Sequence, residues 1–481
     1  MSWQAQALGH LKQTGGSFNL DSRTLHPGDV FVALPGQHCD GRDYLAMALN
    51  LPATLVLAEA QGAEQYQAWQ AHPAVLWVTD LRAQLGALMH RWFDSAARSS
   101  MRLLGITGTN GKTSVSQFLA QALSSVAPCG VLGTLGQGVW PQLQRTTHTT
   151  LDVLSNHRAL AQFAEAGARF AVMEVSSHAL DQARVDGLHF AAALFTNLSH
   201  DHLDYHGSMA AYFAAKRQLF ELQRCTQPIV CVDDAWGQQL AAWRADAMTV
   251  SGRCGQKAVV VPLQVDVMPA SIAVQWQTPW GPVATQTEIV GAFNVANLAL
   301  VVAALGWLGW STHDIARAVS ALTPIAGRMQ AVVLGEQRLA IVDYAHTPDA
   351  LEQALVAVRQ HTQGRLHCVF GCGGDRDRAK RAPMGQIAEL LADEVWLTSD
   401  NSRSELFTDI STQILSGMDS PERCHVIADR AQAIQQALQA LRPGDCVLIA
   451  GKGHEEYQHE QGRYLPFSDL AQVHSFQEGR L

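Results

Sequence analysis

Gly105-Ile-Thr-Gly-Thr-Asn-Gly-Lys-Thr-Ser114 is the stretch whose reading decides the fold of this chain. An apolar segment containing Leu103, Leu104 and Ile106 leads into it, and an amphipathic run, Val115 to Leu123, leads out. Strand, glycine-rich turn and helix in that order aim backbone N–H groups at phosphate oxygens. Gly108, Thr109, Asn110 and Gly111 supply the turn. Lys112 can reach the outer phosphates, and the Thr113 hydroxyl can ligate Mg²⁺. One departure stands out. The strict pattern needs a first glycine at position 106, where this chain has Ile, and Gly105 stands one residue early. Lys-Thr directly after Thr-Gly-Thr-Asn-Gly outweighs that offset. The turn reads as a nucleoside triphosphate site.

A length of 481 residues exceeds what one core supports and suggests roughly three domains. Apolar content of 47% and charged content of 16% belong to an ordinary globular protein. A formal net charge of −9 leaves no basic field for nucleic acid or an anionic membrane. The local run Arg376-Asp-Arg-Ala-Lys-Arg381 is balanced by acids and suits a small anion. The apolar run Leu298 to Trp310 is too short to cross a bilayer and predicts a buried helix, so membrane insertion is not expected. The start of the sequence shows neither the basic nor the apolar region of an export signal. Nine cysteines without a Cys-x-x-Cys pair read as reduced thiols, with Cys368 and Cys372 packing in a core. The expected compartment is the cytoplasm.

Three regions follow from pattern. Residues 1–98 carry short apolar runs, Val30 to Leu34 and Thr54 to Leu57, between Pro-Gly and Asp-Gly turns, and read as a small α/β unit. Residues 99–325 alternate strands (Phe170 to Glu174, Ala191 to Thr196) with helical stretches such as Met209 to Gln223. Residues 326–481 repeat that alternation, with strands expected at Leu339–Asp343, Leu366–Phe370, Glu394–Thr398 and Cys446–Ala450. The class is α/β: mainly parallel sheets flanked by helices.

Candidate chemistry clusters at strand ends, where open α/β sheets bind ligands. Glu174, in Met173-Glu-Val-Ser-Ser-His178, can hold Mg²⁺ beside a phosphate loop. The segment His200 to His206 holds three histidines and two aspartates, but no strand or helix period gathers them and no cysteine is near, so zinc is disfavoured. His202 is the candidate for a Mg²⁺ shell. Lys216, in Tyr212-Phe-Ala-Ala-Lys-Arg-Gln-Leu-Phe220, would by itself pass for a solvated lysine. Arg328 can neutralise triphosphate charge, Asp343 can accept from an adenine or ribose, and Arg403 can clamp a carboxylate bidentately.

This set of residues, in this order, resembles the Mur ligases, ATP-dependent amide-forming enzymes of bacterial cell-wall synthesis. Within them it most resembles the MurE group, which adds the third residue of the peptidoglycan stem peptide. The likeness covers essentially the whole chain. It includes Asp21-Ser-Arg23, Gly28 to Leu34, Gly36 to Gly41, Gly105 to Thr113, Thr146-Thr147 and Glu174 to His178. It continues through Gln182 with Arg184, His200 to Tyr205, Lys216, Gly291 to Asn294, Gly327-Arg328, Asp343 to Asp349, Gly371 to Asp377 and Gly451 to Glu455. The offset in the phosphate turn is itself the family's form.

The resemblance implies three domains: an N-terminal one for the UDP moiety, a central P-loop parallel-sheet domain for ATP and Mg²⁺, and a C-terminal Rossmann-like one for the incoming amino acid. Ser22, Gln37 and His38 would touch the UDP moiety. Thr146, Thr147, Ser177, Gln182 and Arg184 would hold the nucleotide-dipeptide, while Asn294, Arg328 and Asp343 would contact ATP. Lys216 matches a lysine that becomes carbamylated, and it would join Thr113, Glu174 and His202 around Mg²⁺. Arg376, Asp400, Asn401, Arg403, Gly451 and Glu455 would receive the amino acid. The implied reaction joins meso-diaminopimelate to UDP-MurNAc-L-Ala-D-Glu through an acyl phosphate, with other cell-wall synthesis enzymes as further partners. Members using diaminopimelate usually carry Asp-Asn-Pro-Arg; here Ser402 replaces the proline, and Leu406-Phe407 replaces a common acidic residue and proline. The alternatives are a lysine-adding member, another amide ligase of the superfamily such as a folylpolyglutamate-type enzyme, and, from a different class, a regulatory P-loop ATPase.

Overall fold

The apolar segment before the phosphate turn is a buried strand, Arg102–Thr107, and the run after it is the helix Lys112–Ser124. The structure, a computed structural model, describes residues 2–36, 39–146, 148–335 and 337–479. Gln37, His38 and Thr147 therefore lie outside the described residues. Two compact units are present: Met1–Gly108 with Leu123–Phe195 and Asp201–Pro228, and Thr109–Ala122 with Thr196–His200 and Ile229–Leu481.

In the first unit, four parallel strands, Phe18–Asn19, Val30–Ala33, Leu55–Glu59 and Val75–Val78, lie in chain order. The period of two sorts their side chains. Val30 and Val32 face a core shared with the helices Trp3–Thr14 and Leu81–Trp92, and Phe31 and Ala33 face a second cluster with Val56 and Ala58. A further sheet orders Phe190–Phe195, Arg102–Thr107, Phe170–Glu174 and Cys129–Gly133 in parallel, then adds an antiparallel hairpin, Gly136–Val139 and Gln142–Gln144. The strand Phe170–Glu174 occupies its expected range and is buried throughout, which is why it reads as an apolar run up to Glu174.

The helix expected from Met209 to Gln223 is shorter. It spans Met209–Arg217 and tightens into a single 3-10 turn, Gln218–Phe220. That turn seats Leu219 and Phe220 in the core, and Glu221 is already extended because the strand Cys225–Cys231 follows almost at once.

In the second unit a six-stranded sheet runs Gln330–Gly335, Arg338–Asp343, Cys446–Ala450, Leu366–Phe370, Glu394–Leu397 and His425–Val426. The first pair is antiparallel and the rest are parallel. Parallel pairing brings the loops after Asp343, Phe370, Leu397 and Ala450 to one edge of the sheet. A three-stranded antiparallel sheet, Val261–Met268, Ser271–Gln277 and Val283–Thr287, was not among the expected elements. Its alternation is plain in the burial of Ile272, Val274 and Trp276 between more exposed neighbours. All nine cysteines are free, and Cys368 and Cys372 are buried, as expected of packing residues.

The apolar run Leu298 to Trp310 contributes to the helix Phe293–Trp307, whose residues from Leu298 to Gly306 are all buried. Gly306 is a test of packing against propensity. Alanine would favour the helix by about 1 kcal/mol. Its Cβ, however, would lie 2.2–2.4 Å from atoms of the Trp280 ring. Overpacking of this kind costs roughly 1–3 kcal/mol, so Gly306→Ala is expected to destabilise by about 1 kcal/mol net. A urea midpoint higher than wild type would show that Trp280 swings aside.

Candidate active site

From Thr109 onward the phosphate turn is held by residues of the second unit. Thr109 N–H donates to the Asn197 carbonyl at 2.9 Å, and the Asn197 carboxamide both accepts from Asn110 N–H and donates to the Asn110 carbonyl, each at 3.1 Å. Asn110 Nδ2 and Ser199 Oγ both donate to Asp349 Oδ2, at 3.4 and 3.2 Å. Gly111 has φ of 86°, and a Cβ there would sit 2.5 Å from Asn297 Oδ1. Glycine is therefore required at Gly111 for both backbone and space. Lys112 Nζ lies 2.8 Å from the Thr109 carbonyl, folded over the turn it would serve. Asn294 is buried; it donates to the Val290 carbonyl and accepts from Asn297, each at 2.7 Å.

A second group belongs to the first unit. Glu174 is fully buried, and its carboxylate accepts from Thr134 N–H at 2.9 Å and Thr134 Oγ1 at 3.2 Å. Thr146 Oγ1 lies 3.2 Å from the Gly133 carbonyl. Arg184 donates to Gln182 Oε1 at 3.0 Å and to the Thr150 carbonyl at 3.1 Å. Gln182 in turn donates to the Tyr205 hydroxyl at 3.1 Å. Ser177 Oγ meets His206 Nε2 at 2.9 Å. Ser22 sits elsewhere, buried in the turn after Phe18–Asn19.

The rings of His178, His202, Tyr205, His206 and Tyr212 pack together at centroid separations of 4.2–6.0 Å. Burial, reinforced by His202 and His206, pushes His178 down to about 4, so it is neutral at pH 7. Lys216 is not the solvated lysine of the plain sequence reading. It is buried, with Nζ 4.5 Å above the Tyr212 ring and 2.8 Å from the Gly108 carbonyl. Among the described residues no three His, Cys, Asp or Glu side chains form a ready-made metal cluster.

At the strand ends of the second unit, the Arg328 guanidinium lies 4.6 Å over the Tyr344 ring, and its buried Nε has no partner among the described residues. Asp343 accepts from Met329 N–H at 2.7 Å and Ala345 N–H at 2.8 Å. Burial raises its pKa despite Arg328 nearby. Asn401 is a hub. It donates to Glu455 Oε2 at 2.7 Å and accepts from Lys452 Nζ at 3.1 Å and His459 N–H at 2.9 Å. Gly451, at φ 114°, lets Asp400 approach to where a Cβ would be 2.6 Å from Oδ2. Arg403 Nη1 donates to the Gly374 carbonyl at 2.7 Å, and Arg376 is exposed nearby, both close to Gly373. Arg381, in the same basic run, is fully buried against Glu405 and is not available for a small anion.

Three sequence profiles match in succession: "Mur ligase family, catalytic domain" at residues 17–93, "Mur ligase middle domain" at 106–305 and "Mur ligase, glutamate ligase domain" at 327–453. The chain belongs to the Mur ligase family. Among Mur ligases, the UDP-N-acetylmuramoyl-L-alanyl-D-glutamate–2,6-diaminopimelate ligase of Chromobacterium violaceum is 46% identical over 455 residues, 94% of this chain and 92% of the relative. The ligase of the same name from Pseudomonas aeruginosa is 44% identical over 456 residues, 94% of this chain and 93% of its own. A solved structure of a ligase of that name superposes with a TM-score of 0.72 at 35% identity, covering 96% of this chain and 95% of the other. Mycobacterium tuberculosis folylpolyglutamate synthase complexed with ADP shares the fold at 18% identity, with a TM-score of 0.62 over 78% of this chain and 93% of its own.

Seen as a Mur ligase, the chain holds its phosphate turn with residues not singled out from the sequence as functional, Asn197, Ser199 and Asp349, and packs Asn297 close against Gly111. The available signal was their place just after strands or on a helix face shared with Asn294, three residues before Asn297. Lys452, buried between Asn401 and Glu455, was missed for the same reason.

Proposed function

We propose that this Mur ligase is an ATP-dependent, ADP-forming enzyme that adds meso-2,6-diaminopimelate to UDP-MurNAc-L-Ala-D-Glu in peptidoglycan precursor synthesis. The observation that carries the reading is near full-length likeness to ligases of that name. Arg403, held at the edge of the parallel sheet, supplies a physical means of reading the far carboxylate. We assign residues 1–98 to the UDP moiety, 99–325 to ATP and 326–481 to the amino acid. A reaction that draws on ATP belongs in the cytoplasm, and among the described residues no helix is long and apolar enough to cross a membrane.

A carboxylate is a poor electrophile, so the D-Glu side-chain carboxylate first attacks the γ-phosphorus of ATP. An acyl phosphate forms and ADP leaves. Lys112 offsets the charge that builds on the transferred group. The neutral amine of diaminopimelate then attacks the acyl carbon, phosphate departs, and the new amide loses a proton. Asn294, Arg328 and Asp343 orient the nucleotide, with the Arg328 guanidinium already stacked on Tyr344. Glu455 accepts from the amino acid's ammonium beside Gly451, and Thr146, Ser177, Gln182 and Arg184 hold the nucleotide-dipeptide.

Thr113, Glu174, His202 and Lys216 would hold Mg²⁺. Glu174 supports this reading: it is a buried carboxylate at a strand end, and Mg²⁺ commonly takes only one or two carboxylates together with waters and phosphates. When bound, the ion supplies Lewis-acid charge neutralisation at the phosphoryl oxygens. Lys216 contributes as a carbamate, an anion where free lysine is a cation. Lys216→Ala is expected to lower kcat by about 50- to 100-fold, with partial rescue by a small carboxylate in the buffer. Steady-state rates with and without added carboxylate check this, and a bare ammonium in the density of a nucleotide complex would overturn it.

The test of the reaction is purified protein with ATP, Mg²⁺ and UDP-MurNAc-L-Ala-D-Glu, offered a panel of diamino acids. Phosphate release only when both the nucleotide-dipeptide and diaminopimelate are present supports the ligase. Release with ATP alone would favour the regulatory ATPase.

A further inference from the structure

Two residues with side chains, Asp375 and Arg403, adopt left-handed backbone conformations with φ of 50° and 52°. They lie on adjacent loops, one entering the helix Arg381–Leu391 and the other leading to Phe407–Leu415. Such conformations persist only where the surroundings over-determine them. Here the surroundings converge on Glu405, a half-buried carboxylate that pairs with the buried Arg381 and, at 3.2 Å, with the exposed Arg378. Arg381, fully buried, places Nη1 on Glu405 Oε2 and Nη2 on Glu405 Oε1, both at 2.9 Å. The same guanidinium donates to the Gly373 carbonyl at 3.1 Å and to Gln413 Oε1 at 2.8 Å.

Glu405 passes this order on to both loops. Its Oε1 accepts from Asp375 N–H at 2.6 Å, and the Asp375 carboxylate accepts from Ser404 Oγ at 2.6 Å and Ser404 N–H at 3.1 Å. Glu405 N–H closes a turn onto the Ser402 carbonyl at 3.0 Å. Arg403 is thus bracketed. Its neighbours Ser402 and Ser404 are tied to the pair, while its own Nη1 reaches the carbonyl of Gly374, next to the Gly373 that Arg381 holds.

We propose that Arg381 and Glu405 are positioning residues that set the Arg403 guanidinium for the far carboxylate of the amino acid. The proposal rests on the reading of Arg403 given above. Serine at 402 does not fix φ as a proline would; the Arg403 backbone is tied instead to the segment His459–Gln461, its N–H donating to the His459 carbonyl at 2.9 Å and its carbonyl accepting from Gln461 N–H at 2.6 Å, while the loop on either side of it is set by this pair and Ser404. A fork-to-carboxylate bond is directional as well as strong, which suits a part whose task is geometry.

The experiment compares kcat and KM for meso-diaminopimelate and for lysine, and KM for ATP, in wild type, Glu405→Gln, Arg403→Ala and the double variant. Glu405→Gln is expected to raise KM for diaminopimelate about ten-fold while kcat, KM for ATP and kcat/KM for lysine change less than about two-fold. In the Arg403→Ala background the same substitution should add nothing. Equal losses with both amino acids, or losses that multiply in the double variant, would overturn the proposal. If Arg403→Ala leaves the diaminopimelate-to-lysine ratio at the wild-type value, the reading of Arg403 fails, an outcome separate from failure of the pair. Should thermal melting show Glu405→Gln unfolded, the exposed Ser404→Ala decides. A rise of about three-fold in KM for diaminopimelate alone supports the pair, and an unchanged KM overturns it.

Discussion

Lys112→Ala is expected to lower the rate of amide formation by roughly a thousand-fold or more while leaving the protein folded. Phosphoryl transfer asks little covalent chemistry of a protein, so loss of a cation aimed at the transferred group removes transition-state stabilisation directly. The surrounding turn loses one hydrogen bond, from Lys112 Nζ to the Thr109 carbonyl, but keeps its other ties. Thr109 and Asn110 are held by Asn197, and Asn110 also by Asp349, independently of Lys112. Unchanged thermal melting with abolished ADP release is therefore the signature. Near-normal turnover with intact ATP dependence would remove the phosphate-turn assignment.

Arg403→Ala should depress kcat/KM for diaminopimelate far more than for lysine. The two amino acids differ by one carboxylate at the far end of the side chain. A site that receives this charge leaves its guanidinium unmet when lysine is offered. A charge-assisted bidentate bond in a cleft contributes about 2–4 kcal/mol, or about 30- to 1000-fold in the specificity ratio. In the structure Arg403 Nη1 is anchored on the Gly374 carbonyl at 2.7 Å, which fixes one edge of the fork. Rates with both amino acids for wild type and variant decide the matter. If wild type prefers lysine, or both rates fall alike, Arg403 is not the reader and the serine at position 402 was the better clue.

Much of the architecture was legible because it is local. Cys446–Ala450 is an unbroken apolar run and Leu366–Phe370 is interrupted only by His367, and both are strands over those ranges. The phosphate turn is legible for a similar reason: its chemistry is carried by adjacent residues. The antiparallel strand Ser271–Gln277 was equally available in its alternation, but it lies outside the motifs that drew attention.

What spacing cannot carry is long-range contact. Nothing near Lys216 in sequence predicts that it lies buried against the Gly108 carbonyl, 108 residues earlier. Asp349 is 239 residues from the Asn110 it steadies. Residues 376 to 381 make the point most sharply, because their arginines are chemically identical on the page. Sequence alone determined that a basic run follows the strand Leu366–Phe370, at the ligand edge of a parallel sheet. Only the tertiary structure decided that Arg376 stays exposed while Arg381 is buried in a two-pronged bond to Glu405, because an arginine's task is set by the carboxylate the fold brings to it.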